Sequence, residues 1–504
     1  MTSAAKDCGL ITFAPPETFG EYLRPLTITV DQFIRVLRAL ASDIRFWILV
    51  FFMVRMIGVT YPPIEVYHNW RQTGTLMTVR AMQENGPDLF FPKTDIAGFD
   101  KSDVVASEFP IYNFVIHLVN ELFGVDDWYG RLINLILSSF GVWCFFLMMR
   151  RVFGKNVGFM SSLILLASLW FMFSRKVMPD IFSASSVIIG VELAWQFRLR
   201  SNWFLLLASG LFLAMGLLAK MPSAVLLALL VPLLFDRGAS GLHRLAIGIV
   251  SALATGLMIW WYFHWVPVLI GHGGFQLYWP KTFAQGWSEL MARTNDTAYR
   301  IYFTALYSYG AFAFFLVGLF FIRKERYAVR AMIGLVVLML AFFMLKTGDA
   351  FPEQDYYMIP FVPFMAVIAA LGLQRIEQVH LRAALLAFVV GEGVLNQQHD
   401  LHWPEEMEYK LELEGALRPF SEAGEPIAFI SDLNPSDMYF SNHPGWLVSP
   451  NEIHDEPMLR RMTESGCKIM VVNNKKEWLR TAIPDLPVID ENEYWRVYAL
   501  PVKP

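Results

Sequence analysis

Long apolar runs separated by short charged segments dominate the chain from about residue 46 onward. Most of these runs approach the roughly 20 residues that a helix needs to cross a hydrocarbon core about 30 Å thick. The pattern predicts about eleven transmembrane helices. They are drawn at residues 46–61, 131–149, 157–174, 180–197, 202–219, 222–235, 245–266, 301–322, 329–346, 356–374 and 382–396.

Basic residues recur in every second connection, and this sets a direction for the predicted spans. Arg35 and Arg38 precede the first span, and a basic run at 323–330 lies in a later connection of the same side. Because cytoplasmic loops carry the excess of Lys and Arg, the pattern predicts a cytoplasmic N-terminus. The first outer loop is then 61–130, and the C-terminal part of the chain also lies outside.

Two further segments have the pattern of helices that lie along a membrane surface. Residues 29–41 form a predicted interfacial helix before the first span. Residues 109–124 look long enough to span, but one helical face collects polar side chains, namely Asn113, His117, Asn120 and Glu121. We therefore predict a juxtamembrane helix there, because counting it as a span would invert the charge pattern downstream.

The composition agrees with a membrane protein and narrows its partners. Hydrophobic residues make up 55% of the chain, charged residues only 17%, and the mean hydropathy is +0.41. A formal net charge of -4 without any long basic run argues against nucleic acid as a partner. The three cysteines have no spacing typical of a zinc site and suggest no disulfide framework. The apolar composition makes membrane lipids expected partners.

Beyond about residue 396 the sequence becomes typical of a soluble domain. Short apolar strands at 426–430 and 467–473 flank an amphipathic segment at 457–464, which predicts a small α/β domain. The predicted division is a cytoplasmic N-terminal segment at 1–44, a transmembrane module at 45–396 and a periplasmic α/β domain at 397–504.

The first outer loop opens with a candidate reactive group. A helix that starts after Pro62 and Pro63 would place Glu65, His68 and Gln72 on one face, with Arg71 at its edge. A carboxylate, an imidazole and a guanidinium would then meet at the membrane surface. The alternative is an amphipathic helix whose charges only face water.

Further candidates lie at other predicted outer ends of spans. Arg175, Lys176 and Lys220 are positive charges on the side that the orientation rule disfavours, and together they would suit a lipid phosphate. Asp180 begins a span beside them. Each of these residues also has a simpler explanation. The three cationic side chains could extend to the membrane surface, and Asp180 and Glu108 could only stabilise helix N-termini. The tyrosines after Asp355 could belong to the aromatic belt at the membrane interface.

At these residues the chain resembles bacterial membrane glycosyltransferases of the GT-C fold, family 39-like, related to protein O-mannosyltransferases and lipid A aminoarabinose transferases. The resemblance covers about 60–375 and rests on ordered motifs: Glu65-x-x-His68-x-Trp70-Arg71-Gln72, Glu108-Phe109-Pro110, Met178-Pro179-Asp180, Lys220-x-Pro222 and Asp355-Tyr356-Tyr357. Two positions depart from it. The family usually has Asp where Glu65 stands, and often His where Gln354 stands.

The resemblance implies an all-α polytopic membrane enzyme that lies in a bacterial inner membrane and works on its outer face. It implies an inverting transfer of a hexose or pentose from a polyprenyl-phosphate donor to a hydroxyl of a glycan, lipid or protein. Glu65 is the first choice of base, and Asp180 orients the acceptor or shares that role. No metal or cofactor is expected to be required, because cationic side chains can do what Mg²⁺ would do. The other predicted contacts are Arg71, Arg175, Lys176 and Lys220 for the donor phosphate, and His68, Trp70, Gln72, Glu108, Asp355, Tyr356 and Tyr357 for the substrates.

Two other functions remain as alternatives. A transporter or flippase would place ionisable groups near the bilayer midplane, whereas most polar groups here collect at one surface. A ligase or polymerase of lipid-linked glycans would share the topology and differ in its donor, a pyrophosphate-linked oligosaccharide.

Overall fold

The computed structural model describes residues 10–11, 28–64, 68–97, 103–236, 238–272, 275–276, 280–422, 424–431, 434–450, 452–475 and 486–501. The N-terminal part contains a short antiparallel pair of strands followed by helices. These elements are β1 (Leu10–Ile11), β2 (Ile28–Thr29), α1 (Val30–Ala41), α2 (Ile44–Arg55), α3 (Asn69–Asn85), β3 (Val105–Ala106) and α4 (Ile111–Phe123). Helices therefore form at both predicted interfacial segments.

The middle of the chain is a bundle of apolar helices. Its elements are α5 (Tyr129–Phe153), α6 (Lys155–Ala167), α7 (Trp170–Phe173), α8 (Pro179–Arg200), α9 (Trp203–Ala219), α10 (Val231–Leu234), α11 (Gly241–Trp260), α12 (Val266–Gly271), β4 (Phe275–Gln276), α13 (Phe283–Ala292), α14 (Thr294–Tyr299), α15 (Tyr309–Phe321), α16 (Tyr327–Thr347), α17 (Ala350–Glu353), α18 (Val362–Leu373) and α19 (Val379–Leu395). A 3₁₀ helix at Met221–Leu230 precedes α10.

Three helices of the described chain are long and apolar enough to cross a membrane: Tyr129–Phe153, Gly241–Gly271 and Tyr327–Thr347. A fourth span is possible at Thr294–Thr304 and Tyr309–Lys324, which bend by 92° at their junction. Other runs predicted as spans form shorter helices, at Lys155–Ala167, Trp203–Ala219, Met221–Leu234 and Val362–Leu373. The predicted number of about eleven spans is therefore not confirmed.

Local signals in the sequence explain where the central helices begin and end. α5 has Arg150 and Arg151 in its last turn and stops at Gly154, whose φ of 92° suits glycine and ends the helix. α8 begins with a proline at its first position and has Asp180 in its first turn, where a carboxylate faces the positive end of the helix dipole.

The bundle packs around α8, which is buried along most of its length and contacts α5 and α9. α18 is buried throughout and packs between α6 and α15. The crossing of α15 and α18 depends on two glycines. A Cβ at Gly318 would collide with the carbonyl of Ile368, and one at Gly372 with that of Phe314. Only glycine permits this close backbone approach.

α4 turns its polar face toward the protein. Asn113, His117 and Asn120 are buried, and the Asn113 side chain donates a hydrogen bond to the Thr75 carbonyl of α3 at 2.8 Å. Leu122 is among the exposed apolar side chains of the opposite face. With 13 residues, about 20 Å long, α4 is too short to cross the hydrocarbon core. Its position along the membrane surface stays a prediction.

The C-terminal part folds as an α/β unit, as the strand and helix patterns predict. Its elements are α20 (Leu413–Leu417), β5 (Ile427–Ile430), α21 (Ser436–Ser441), β6 (Gly445–Val448), α22 (Glu456–Glu464), β7 (Ile469–Asn473), β8 (Val488–Glu491) and β9 (Trp495–Ala499). The sheet has the order β6-β5-β7-β9-β8, with β5 parallel to β6 and β7, and β9 antiparallel to both its neighbours. The buried strands β5 and β7 are the two predicted ones.

The first outer loop and the C-terminal unit pack directly against each other. Gly445 donates a backbone hydrogen bond to the Asp95 carbonyl at 2.9 Å. The Arg80 guanidinium lies over the ring of Tyr439, 4.5 Å from its centroid, and the Tyr439 hydroxyl donates to Asp127 at 2.5 Å. Segments that the charge pattern assigns to the same side of the membrane thus lie together.

Candidate functional site

The first outer helix begins later than the sequence predicts. α3 starts at Asn69, and His68 before it has the left-handed conformation, with φ 60° and ψ 25°. The prediction of one helix that runs through His68 to Gln72 is therefore wrong, because a helix does not continue through a residue in this conformation. His68 is held by Asp355, whose Oδ1 lies 2.6 Å from its Nε2. Glu65 lies outside the described residues.

Four charged side chains from four separate segments form what we call the site cluster: Arg71, Glu108, Asp180 and Lys220. Arg71 is ion-paired with Glu108. The Lys220 Nζ lies 3.8 Å from Glu108 Oε1 and 3.8 Å from Asp180 Oδ1. The sequence predicts these four residues from different motifs, and the structure brings them together.

Backbone contacts hold the two sides of the cluster next to each other. Lys220 follows α9 directly, in an extended conformation with φ −159° and ψ 112°. The amide of Phe109 donates to the Leu218 carbonyl at 3.2 Å, so Glu108 is fixed beside the end of α9. The Trp261 indole donates to the Ser107 carbonyl at 3.1 Å and supports the same segment.

The site cluster is buried but its hydrogen bonds are incomplete. Asp180 is 5% exposed, and its Oδ2 has no hydrogen-bond partner in the described part of the chain. Burial opposes ionisation of Glu108, but Arg71 and then Lys220 outweigh it and lower the pKa of Glu108 below its usual value. Two carboxylates and two cations thus face one another with a free carboxylate oxygen among them.

Aromatic residues of the segment 355–358 form a wall beside the charges. The Lys220 Nζ lies 5.6 Å from the centroid of the Tyr356 ring, and Tyr356 and Tyr357 pack edge to face at 4.8 Å. The His68 ring contacts Tyr356 at 5.3 Å between centroids. The motif that begins at Asp355 therefore contacts the first outer loop at the site. A shared role of these two segments in substrate binding would require this contact.

Two predicted substrate contacts, Gln72 and Trp70, have partners within the protein. Gln72 is fully buried, and its side-chain oxygen accepts a hydrogen bond from the Val177 amide at 2.9 Å. This contact fixes α3 against the start of α8, so it positions the site. Trp70 is half-buried, and its ring lies 5.9 Å from the Arg71 guanidinium carbon.

Arg175 and Lys176 form ion pairs with Asp400, a residue that the sequence analysis does not identify. The Lys176 Nζ lies 2.7 Å from Asp400 Oδ1, the Arg175 Nη1 lies 3.3 Å from Oδ2, and all three side chains are buried. Arg175 also donates to the Ile57 carbonyl at 2.5 Å. We call Arg175, Lys176 and Asp400 the anchor cluster. Their partners favour a structural role over the predicted contact with the donor phosphate.

Comparisons with known proteins agree with the fold that the motifs imply. The family model of dolichyl-phosphate-mannose-protein mannosyltransferases matches residues 107–266, a stretch that includes Glu108, Asp180 and Lys220. A search of curated proteins found no match. The family resemblance therefore rests on about a third of the chain and on ordered motifs.

Solved structures resemble nearly the whole chain at low sequence identity. ArnT from Cupriavidus metallidurans, solved with undecaprenyl phosphate, is 14% identical with a TM-score of 0.57, and the match covers 90% of this chain and 98% of ArnT. The Archaeoglobus fulgidus oligosaccharyltransferase, solved with Zn and sulfate, is 9% identical with a TM-score of 0.52, covering 85% of this chain and 68% of that one. Both have the GT-C fold. The predicted resemblance to GT-C, family 39-like membrane glycosyltransferases is thus confirmed at the level of the fold.

Proposed function

We propose that this protein is a membrane glycosyltransferase that moves one sugar from a polyprenyl-phosphate donor to a hydroxyl of a glycan, lipid or protein. The observation that carries the proposal is the site cluster, in which Arg71 and Lys220 face Glu108 and Asp180 while one Asp180 oxygen lacks a partner. Cations for a leaving phosphate and carboxylates for an acceptor hydroxyl are the groups that this reaction needs.

The proposed step inverts the anomeric carbon. The acceptor oxygen bonds to that carbon while the bond from the carbon to the phosphate oxygen breaks. The acceptor proton passes to a carboxylate, for which Glu65 is the first choice. Asp180 is held by Lys220 through one oxygen, so its free Oδ2 suits orientation of the hydroxyl. Asp180 could also share the role of base.

Arg71 and Lys220 bind the departing phosphate in this proposal. They are already desolvated, so a negative group between them would interact strongly. No general acid is required, because a polyprenyl phosphate leaves as a stabilised anion. The wall formed by Tyr356 and Tyr357 would then line the sugar, and the His68 contact with Asp355 would keep that wall in place.

We also propose the periplasmic face of a bacterial inner membrane as the location. The alternation of basic loops places the first outer loop and the C-terminal unit on the non-cytoplasmic side. The contact between Gly445 and Asp95 supports a common side for both segments. Phosphatase and fluorescent-protein fusions at the C-terminus test it: an inactive phosphatase with a bright fluorescent protein would reverse the orientation.

The proposal is tested with the full chain in lipid nanodiscs, by binding of undecaprenyl phosphate in native mass spectrometry. We expect saturable binding, weakened about tenfold in Lys220→Ala, since a desolvated phosphate loses a charge-assisted partner. The control is Lys155→Ala, an exposed lysine outside the site. Equal binding by both variants would refute the donor site. Rapid movement of a fluorescent polyprenyl phosphate across the bilayer, without sugar transfer, would favour the flippase alternative.

A further inference from the structure

A cleft of about 650 Å³ lies between the C-terminal unit and the N-terminus of α3. One wall is the 3₁₀ helix Glu405–Glu412, which presents four glutamates to the cleft. Glu408 accepts a hydrogen bond from the Trp403 indole, whereas Glu405, Glu406 and Glu412 have no such partner among the described residues. Tyr494 and Asn434 come from the sheet side of the C-terminal unit, and Asn69 comes from α3. The cleft is therefore built by both parts of the molecule.

Asn69 connects this cleft with the site cluster. It follows His68, which contacts Asp355, and it lies on the same helix as Arg71. Asn69 is only 6% exposed, and its side-chain amide makes no hydrogen bond to any described residue. A buried amide left unpaired costs free energy unless a ligand or water completes it. Asn69 therefore offers a hydrogen-bonding group to whatever occupies the cleft.

The lining of the cleft has an excess of negative charge. Its two lysines are already paired, Lys410 with Asp437 at 2.8 Å and Lys475 with Glu493. Glu405, Glu406 and Glu412 are exposed and form no ion pair with any residue that the structure describes. The helix dipole accounts for the first two, which lie in the first turn. It does not account for Glu412 at the opposite end.

Aromatic rings complete the wall. Tyr409 and Tyr494 stack with 5.1 Å between centroids and an interplanar angle of 8°. The Tyr409 hydroxyl is fixed by the Asn473 side chain, which donates at 2.9 Å. The Lys475 Nζ also lies over the Tyr494 ring, 4.9 Å from its centroid. Aromatic edges beside amides and carboxylates suit a ligand that has both apolar C–H groups and many hydroxyl groups.

We propose that this cleft binds the acceptor, and that the acceptor is a carbohydrate that is uncharged or carries amines. This inference rests on the proposed glycosyl transfer and adds the acceptor class to it. Carboxylates accept hydrogen bonds from sugar hydroxyls and attract ammonium groups, whereas they repel phosphates and carboxylates. An acceptor that enters along Asn69 lies next to His68, whose ring contacts Tyr356 beside Lys220 of the site cluster.

The test uses the full chain in nanodiscs without any donor, and measures binding by saturation-transfer-difference NMR. The probes are three linear trimers: glucosamine, N-acetylglucosamine and galacturonate. We expect the glucosamine trimer to bind most tightly, the neutral trimer at least tenfold more weakly, and the galacturonate trimer not at all. Tyr494→Ala should remove the signal of both bound trimers.

A triple variant, Glu405→Gln with Glu406→Gln and Glu412→Gln, tests the role of charge. We expect it to lose the preference for glucosamine while it retains the neutral trimer. Glu456→Gln, an exposed glutamate on α22 outside the lining, is the matched control. A thermal midpoint equal to that of the parent shows that each variant is folded.

Three results would overturn the proposal: binding of galacturonate as tight as glucosamine, an unchanged preference in the triple variant, or no binding of any trimer. Because no donor is present, these results are independent of sugar transfer. A chain that transfers sugar and fails this test loses only the acceptor site. A chain that binds the trimers and does not transfer loses only the proposed reaction.

Discussion

The site cluster and the anchor cluster look alike in the sequence and differ in the structure. In the anchor cluster, two cations enclose Asp400 at 2.7 and 3.3 Å, and the charged side chains are 0–2% exposed. In the site cluster, Lys220 stays 3.8 Å from each of two carboxylates, and its side chain is 13% exposed. The anchor cluster has short contacts and almost no access to solvent, whereas the contacts of Lys220 in the site cluster are long and its side chain is partly exposed.

This difference separates charges that support the fold from charges that are available to a ligand. A buried ion pair with short contacts has already exchanged its hydration for protein partners, so a ligand gains little from it. A buried carboxylate oxygen without a partner, such as Asp180 Oδ2, still has a hydrogen bond to form. The anchor cluster should therefore control stability, and the site cluster should control transfer.

The largest expected effect is on the rate of transfer. Glu65→Gln keeps the size of the side chain and removes its basicity, so we expect transfer to fall by roughly 10²–10⁴-fold. Asp180→Asn should lower it only about tenfold, equivalent to about 1.4 kcal/mol, through poorer orientation of the acceptor. Steady-state transfer with purified donor and acceptor measures both.

The thermal midpoints of these two variants are the control, and we expect both to match the parent chain. If Asp180→Asn were inactive while Glu65→Gln kept its rate, the role of base would pass to Asp180. If both variants stayed active, the carboxylate-base mechanism would be wrong.

The anchor cluster should give the next largest effect, on stability. Asp400→Ala leaves two buried cations without their carboxylate, which typically costs about 3–5 kcal/mol. We expect a large fall in the thermal midpoint in detergent, measured by intrinsic fluorescence. Asp296→Ala, which removes an exposed partner of Arg293, should cost less than about 1 kcal/mol.

The opposite result would change the assignment of the two clusters. If Asp400→Ala kept the parent's midpoint and instead weakened undecaprenyl phosphate binding, Arg175 and Lys176 would belong to the donor site. That is the role that the sequence pattern predicts for them.

The pattern of apolar residues predicts where most helices lie, but it does not predict where a helix is interrupted. The run at 157–174, predicted as one span, is divided into α6 and α7. Gln397 stabilises the break: its side chain donates to the Ala167 carbonyl at 3.0 Å and accepts from the Met172 amide at 3.3 Å. A partner more than 200 residues away is invisible to a local pattern.

The site shows the same limit. Because Asp180 and Lys220 both lie at span ends of one predicted side, their proximity could be inferred from charge and topology. The partner of Arg175 could not, since Asp400 lies 225 residues further along the chain. The left-handed conformation of His68 also depends on a distant partner, Asp355.

A smaller effect is expected at the contact between the first outer loop and the C-terminal unit. Burial raises the pKa of Asp95 to about 6, although Arg80 lies 3.3 Å away and opposes the shift. The folded state thus holds the proton more tightly than the unfolded state, and stability falls as pH rises through about 6. Between pH 5.5 and 7.5 we expect a loss of about 1 kcal/mol.

Thermal midpoints across this pH range test the prediction. Asp95→Asn carries no titrating proton, so its midpoint should change less with pH than that of the parent. Asp296→Asn, on an exposed side chain, should follow the parent. An equal pH dependence in Asp95→Asn would mean that another group is responsible. Asp95 differs from Glu108 in this respect, because Arg71 and Lys220 overcome the burial of Glu108.

The smallest expected effect is that of metal removal. The Lys220 Nζ lies between Glu108 and Asp180, the place that a divalent cation bridging the two carboxylates would take. Since Lys220 and Arg71 supply the positive charge, we expect EDTA to change transfer by less than about twofold. A loss of activity restored by Mg²⁺ or Mn²⁺ would contradict this. Lys220→Gln separates the two cases. If the ammonium provides the charge, transfer by this variant falls and added Mg²⁺ does not restore it. A metal-dependent site would keep its activity in this variant when Mg²⁺ is present.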